Sequence, residues 1–200
     1  MATAIAASYM NIPVAHTQGG ELTGSIDESV RHAITKLSHI HFPATELSKD
    51  RLVKMGEDPN YIFNLGCPAI DEIAEIDMKL GFDFFNHSGG SGDAIDQNKD
   101  YLVVLQHPVT TEYGKEVINI EETIAAVKNM NMQTVWLWPN IDAGSDDISK
   151  KLRQLANSDR GFPLRLYRNF SVQDYTRLIY NSKCLVGNSS SGIRESAFLG

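Results

Sequence analysis

Cys184-Leu185-Val186-Gly187-Asn188-Ser189-Ser190-Ser191-Gly192-Ile193-Arg194-Glu195 runs from apolar residues into small polar ones and then into the start of a helix. A strand that ends in this way before a helix is the repeating unit of parallel α/β sheets. The junction turns backbone N–H groups and the positive end of a helix dipole outward, an arrangement suited to an anion. The hydroxyls of Ser189, Ser190 and Ser191 add donors, and Glu195 is placed to accept from a ribose hydroxyl, as acidic residues do in other nucleotide sites. The competing reading is a plain serine-rich turn, since many strand–helix junctions of this composition bind nothing.

The same alternation recurs outward from this stretch. Residues 101–105, 134–138, 164–167 and 184–187 read as strands, separated by helical patterns over 118–130, 146–156 and 172–181, with a further helix from 193. The earlier part reads as helix 2–10, strand 12–16, helix 26–37, strand 39–42, helix 47–55 and strand 61–65. Strands separated by helices of this length predict parallel sheet with right-handed crossovers, a doubly wound α/β fold. Between the two parts lie a short helix over 69–76 and the Gly/Ser-rich stretch 83–93, which reads as a loop or linker.

With 200 residues, 42% hydrophobic and 22% charged, the chain has the composition of a globular protein with one large or two small domains. A net charge of −7 argues against a nucleic-acid backbone as partner, because such binding needs a basic face. Cys67 and Cys184 stand far apart and read as buried small residues in a reducing cytoplasm. No run approaches 18 apolar residues, so no membrane span is read. The helix at 2–10 has nothing before it, and the one from 193 stops after about two turns. The chain therefore reads as a piece of a longer protein, inactive by itself.

A second stretch is denser in chemistry. His16-Thr17-Gln18-Gly19-Gly20-Glu21-Leu22-Thr23-Gly24-Ser25-Ile26-Asp27-Glu28-Ser29-Val30-Arg31-His32 links a short strand to a helix, which Ser25 and Glu28 open as a capping box. Asp27 then lies in the first helical turn, either complementing the dipole or acting as a general acid/base. Glu21 is a loop carboxylate in water or a second acid/base. His107 ends the strand over 101–105, in a structural role or against a ligand. His39 and His41 share a strand face, and packing of His16 against His39 is preferred to a metal site. Trp136 and Trp138 read as core or sheet-face residues.

These words, with His107-Pro108 and Trp138-Pro139-Asn140-Ile141-Asp142-Ala143-Gly144-Ser145, resemble the hydrolysing UDP-N-acetylglucosamine 2-epimerase family from the first residue to the last. The family's product feeds sialic-acid synthesis. The resemblance implies two Rossmann-like halves facing a cleft (GT-B architecture), both incomplete here: residues 1–66 end the first, 67–98 connect, and 99–200 begin the UDP-binding second. It implies a UDP-sugar substrate, no redox cofactor, no metal, and a homo-oligomer in the full-length protein. In the implied reaction the C2 proton is removed, UDP departs to leave a glycal, and water adds with inverted C2 configuration, giving N-acetylmannosamine.

By the same resemblance Asp27 and Glu21 supply acid/base chemistry. Arg31, His107 and Ser189–Ser191 meet the leaving diphosphate, and Glu195 holds the ribose. His16, Gln18 and Asn140 are further substrate contacts. Gln18 departs from the many relatives with Glu there, and an amide cannot exchange a proton at neutral pH; the C2 base then falls to Glu21, Asp27 or a carboxylate elsewhere. Non-hydrolysing epimerases usually carry His-x-Glu-Ala-Gly-x-Arg-Thr at this place, which favours the hydrolysing branch. Hydrolysing enzymes of diacetamido-trideoxy sugars and a non-catalytic nucleotide-binding module remain as alternatives.

Overall fold

The computed structural model describes every residue except Ser25, Thr110, Thr111, Tyr113, Asp159 and Arg160. The Ser25 half of the capping box therefore lies outside the described residues. The chain forms two compact units, Met1–Asp71 and Glu72–Gly200.

In the first unit, α1 (Ala2–Tyr9), β1 (Ala15–Thr17), α2 (Ile26–Lys36), β2 (Ile40–Phe42) and α3 (Glu46–Lys54) follow in order. β1 and β2 pair in parallel, with His16 opposite His41. Leu52 of α3 and Thr35 of α2 are fully buried. Thr45 caps α3 by accepting from the Ser48 N–H at 3.1 Å. The strand expected over 61–65 is reduced to a single parallel bridge, His41 to Ile62, after a 3-10 turn at Pro59–Tyr61. Ile62 is buried while Tyr61 and Phe63 are exposed, so the segment alternates like a strand without extending the ladder.

The second unit starts within α4 (Pro68–Ala74) and continues through α5 (Phe84–His87), β3 (Ser91–Gly92), β4 (Leu102–Leu105), α6 (Glu116–Met130), β5 (Thr134–Leu137), α7 (Ser145–Ala156), β6 (Leu164–Tyr167), α8 (Val172–Tyr180), β7 (Cys184–Gly187) and α9 (Glu195–Leu199). The strand order is β3-β6-β5-β4-β7, parallel except for β3. β4 and β5 are buried along their whole length because helices cover both faces, which is why they read as continuous apolar runs. On one face Trp136 packs with Ile120, Ile148, Leu152 and Leu164, each nearly fully buried. Each such aliphatic side chain contributes about 1.5–3 kcal/mol of burial. The other face holds Phe84, Phe85, Tyr101, Val103 and Tyr167.

Residues 83–93, read from sequence as a loop or linker, instead close the sheet with a short helix and an edge strand. The Tyr167 hydroxyl donates to the Phe85 carbonyl at 2.7 Å, and Asp93 accepts from the Leu164 N–H at 3.0 Å. Gly92 is required there, since a Cβ would stand 2.3 Å from the Leu164 carbonyl oxygen. The cysteines are not buried among the described residues: Cys67 is intermediate and Cys184, on β7, is exposed. Among the described residues no helix is long and apolar enough to cross a membrane.

Candidate functional site

In the first unit, the polar loop after β1 is clamped at its backbone. Gln18 adopts a left-handed conformation, φ 58°, while its N–H donates to the Phe42 carbonyl at 2.8 Å. A non-glycine residue there is held at a cost of about 1–3 kcal/mol, a feature that clusters at functional loops. Its side-chain amide reaches the Cys67 sulfur at 3.5 Å. The two glycines that follow fit a tight space: a Cβ on Gly20 (φ 80°) would sit 2.3 Å from the Ser48 carbonyl oxygen, and one on Gly19 3.1 Å from the His16 ring.

Two guanidiniums fix the loop carbonyls, Arg51 donating to Gly20 at 2.9 Å and Arg31 to Glu21 at 3.0 Å. Arg31 thus holds the backbone of one candidate carboxylate residue and leaves the side chain of Glu21 half-exposed. Asp27 lies in the first turn of α2 and is exposed, and Glu28 beside it folds back to accept from the Gly24 and Thr23 N–H groups at 2.9 and 2.8 Å. Those bonds hold the Glu28 carboxyl below the usual carboxylate range.

His16 faces His41 across the ladder, not His39 as the sequence suggested; His39 instead accepts from the Val14 N–H at 3.2 Å. Parallel pairing sets this register, and spacing within one strand does not reveal it. The His16 Nδ1 lies 3.3 Å from the Thr35 hydroxyl. Burial, reinforced by His41 and Arg31, pushes the His16 ring down to about 4, so it is neutral at physiological pH. His41 is fully buried beside Glu57, Nε2 to Oε2 3.2 Å. Among the described residues no group of three or more His, Cys, Asp or Glu is arranged to hold a metal.

In the second unit, three strand ends converge on His107. The Asn188 carboxamide accepts from the His107 N–H at 2.7 Å and donates to the His107 carbonyl at 2.9 Å, locking the end of β4 to the end of β7. The His107 ring then accepts at Nδ1 from the Asn140 N–H at 3.2 Å, which brings in the end of β5. Burial pulls the ring below its ordinary range, against the opposing charge of Asp142. A neutral ring that accepts at Nδ1 carries its proton on Nε2, which makes that nitrogen a donor. Gly187 (φ 136°) permits the join, since a Cβ would lie 2.0 Å from the Leu105 carbonyl oxygen.

The serine turn differs from the expected open cradle. Ser190–Gly192 is a 3-10 turn, and the following helix begins only at Glu195. Ser189 Oγ accepts from the Ser191 N–H at 3.3 Å, while the N–H groups of Gly192, Ile193 and Arg194 donate to carbonyls of Ser189 and Ser190. Tight i to i+3 bonding uses the amides that a longer helix start would have left open. Ser190 is exposed, and Glu195 Oε2 is buried without a partner.

The second unit therefore brings His107 and Asn140 into contact and gathers Ser189 and Ser191 into one turn. The first unit gathers His16, Gln18, Glu21 and Arg31 around one loop, with Asp27 on the helix that follows. Sequence reasoning missed Asn188, although it stands inside the opening motif, because its partner is 81 positions away. Arg51 and Thr35 carried no local signal.

The sequence pattern of the UDP-N-acetylglucosamine 2-epimerase family matches residues 1–200. A relative named UDP-N,N'-diacetylbacillosamine 2-epimerase (hydrolyzing), from Legionella pneumophila, is 39% identical over 98% of this chain and 50% of its own length. A Neisseria meningitidis UDP-N-acetylglucosamine 2-epimerase is 34% identical over 94% of this chain and 47% of its own. The chain thus spans about half the length of the curated relatives it matches. The solved Methanocaldococcus jannaschii UDP-GlcNAc 2-epimerase, in complex with UDP-GlcNAc and UDP, shares the fold with a TM-score of 0.74 at 19% identity, over 99% of this chain and 54% of that one. On the match along its whole length, the chain belongs to the UDP-N-acetylglucosamine 2-epimerase family.

Proposed function

We propose that the whole protein is a hydrolysing UDP-N-acetylglucosamine 2-epimerase, converting UDP-N-acetylglucosamine and water to UDP and N-acetylmannosamine. The observation that carries this reading is the joint at His107, where Asn188 and Asn140 hold a neutral imidazole with an Nε2–H donor at the ends of β4, β5 and β7. Ligands of parallel α/β sheets lie beyond these carboxyl ends. A fixed, neutral donor there can bind a diphosphate oxygen and stabilise the charge that gathers on it as the C1–O bond breaks.

In this reading the second unit holds UDP: His107 and Asn140 with exposed Ser190 at the diphosphate, and Glu195 at the ribose. The first unit supplies proton transfer through Asp27 or Glu21, with His16 and Gln18 contacting the sugar and Arg31 fixing the loop. One carboxylate takes the C2 proton while the C1–O electron pair leaves with UDP. Water then adds its hydroxyl at C1, and a proton returns to C2 on the opposite face, so one water is consumed and free sugar and UDP are released.

A second substrate, a UDP-diacetamido-trideoxy sugar, is supported by the 39% identity to the Legionella relative. The test is to incubate the whole protein with each UDP-sugar and identify the products. UDP with free N-acetylmannosamine is expected from the first. A UDP-sugar epimer without free UDP would mean the non-hydrolysing reaction, and binding without turnover a non-catalytic module.

A further inference from the structure

Tyr175 lies on α8, outside every motif that drew attention in the sequence. Its ring joins Leu178 on the inward face of the helix and packs against the cluster of Phe84, Tyr101 and Leu185. Ser171 caps that helix by accepting from the Asp174 N–H at 3.0 Å, which fixes where the ring projects. The hydroxyl emerges from the core beside the serine turn, facing Ser191 and Ser189 with Glu195 nearby. It is inaccessible to water, yet it closes no hydrogen bond of good geometry. Two further buried atoms on the adjoining α9 share that condition, Glu195 Oε2 and Ser196 Oγ.

Unpartnered buried polar atoms are costly and rare, and three around one turn call for a common explanation. The phenol is complementary to its neighbours. A tyrosine hydroxyl can accept from a serine and donate to a carboxylate at once, joining the two groups in a line. Burial raises the ionisation range of the phenol; the neighbouring Ser191 and Ser189 hydroxyls pull it back in part and the Glu195 charge adds to the rise, so the net shift is upward and the hydroxyl keeps its proton.

We propose that Tyr175 is a positioning residue whose hydroxyl links the Ser189–Ser191 turn to Glu195 and locks both in place when UDP binds. The inference rests on the UDP site assigned above. The groups are gathered about the phenol, whose hydroxyl closes no hydrogen bond of good geometry with them. A nucleotide engaging Ser190 and one oxygen of Glu195 draws the turn and the carboxylate together around the phenol, and the bonds close.

The test uses the whole protein and UDP as the probe. Tyr175→Phe keeps the ring and its packing while deleting the hydroxyl. Its affinity for UDP, read by calorimetry, is expected to fall about five- to tenfold, the scale of one hydrogen bond, with the melting temperature nearly unchanged. Combined with Ser191→Ala, the loss is expected to be non-additive, the double variant binding within about twofold of the weaker single variant. Simple packing would not produce that coupling. Unchanged affinity in Tyr175→Phe, or fully additive losses, would overturn the proposal while leaving the UDP site intact. Failure of the parent protein itself to bind UDP would overturn the site assignment, and this inference with it.

Discussion

Replacing Asn188 by Ala removes the clamp between β7 and β4, and the structure gives the size of the effect. Two hydrogen bonds are lost, 2.7 Å from the His107 N–H and 2.9 Å to its carbonyl. Each such bond is worth about 0.5–1.5 kcal/mol net. Asn188 is exposed, so water can replace both and the summed stability loss falls at the low end, about 1 kcal/mol, or a melting shift of about 2–4 °C. Binding should suffer more. Without the clamp the His107 ring keeps only its 3.2 Å bond from Asn140 and no longer presents a fixed donor. A hydrogen bond to a charged group is worth about 1.5–3 kcal/mol, so UDP affinity is expected to fall about tenfold or more. Asn188→Asp keeps the acceptor for the His107 N–H but sets a carboxylate against the His107 carbonyl, and should bind UDP more weakly still. Thermal unfolding and calorimetry with UDP, at fixed ionic strength, measure both quantities. A melting shift of the stated size with UDP affinity unchanged would refute the argument that the clamp positions His107 for the nucleotide.

Three further outcomes follow from the first unit. Gly20→Ala, which forces a Cβ to 2.3 Å from the Ser48 carbonyl oxygen at φ 80°, should destabilise well beyond Gly24→Ala, whose φ of 65° is also positive but whose Cβ meets open space; urea unfolding of the pair separates the clash from the backbone cost of about 1–2 kcal/mol. Because His16 is held down to about 4 when folded, the unfolded chain takes up a proton that the folded one refuses, so stability is full above about 6.5 and is lost as pH falls toward 4; the melting temperature of His16→Gln should depend less on pH across that window than the parent's. Asp27→Asn should leave folding and UDP affinity intact yet slow turnover about 10²-fold or more, and normal turnover would remove Asp27 from proton transfer.

The second sheet was legible because β4 and β5 are largely apolar runs sealed by helices and β6 interrupts its buried residues only at Arg165, and burial writes itself into such residues. β3 was not, because a two-residue Ser-Gly strand pairs through backbone alone. The segment around Ile62 alternated correctly, but its pairing stops after one bridge, His41 to Ile62. The helix after the serines was placed two residues early because side-chain and i to i+3 bonds of Ser189 and Ser190 compete with helix initiation. The candidate site was readable as residue types at strand ends. Its contacts were not, since His107 to Asn188, His107 to Asn140 and His16 to His41 are fixed by the register of strands distant in sequence. Tyr175 carries no motif of its own, and only its hydroxyl's position sets it apart.

The central claim, that UDP leaves after removal of the C2 proton and that water completes the reaction, is tested most directly by running the whole protein on UDP-N-acetylglucosamine in deuterated water. Mass and NMR analysis of the released sugar read the outcome. Free N-acetylmannosamine carrying deuterium at C2, in equal amount to UDP, is the predicted result. Free N-acetylglucosamine with its original hydrogen at C2 would contradict the account, since UDP would then have left by simple hydrolysis without any chemistry at C2.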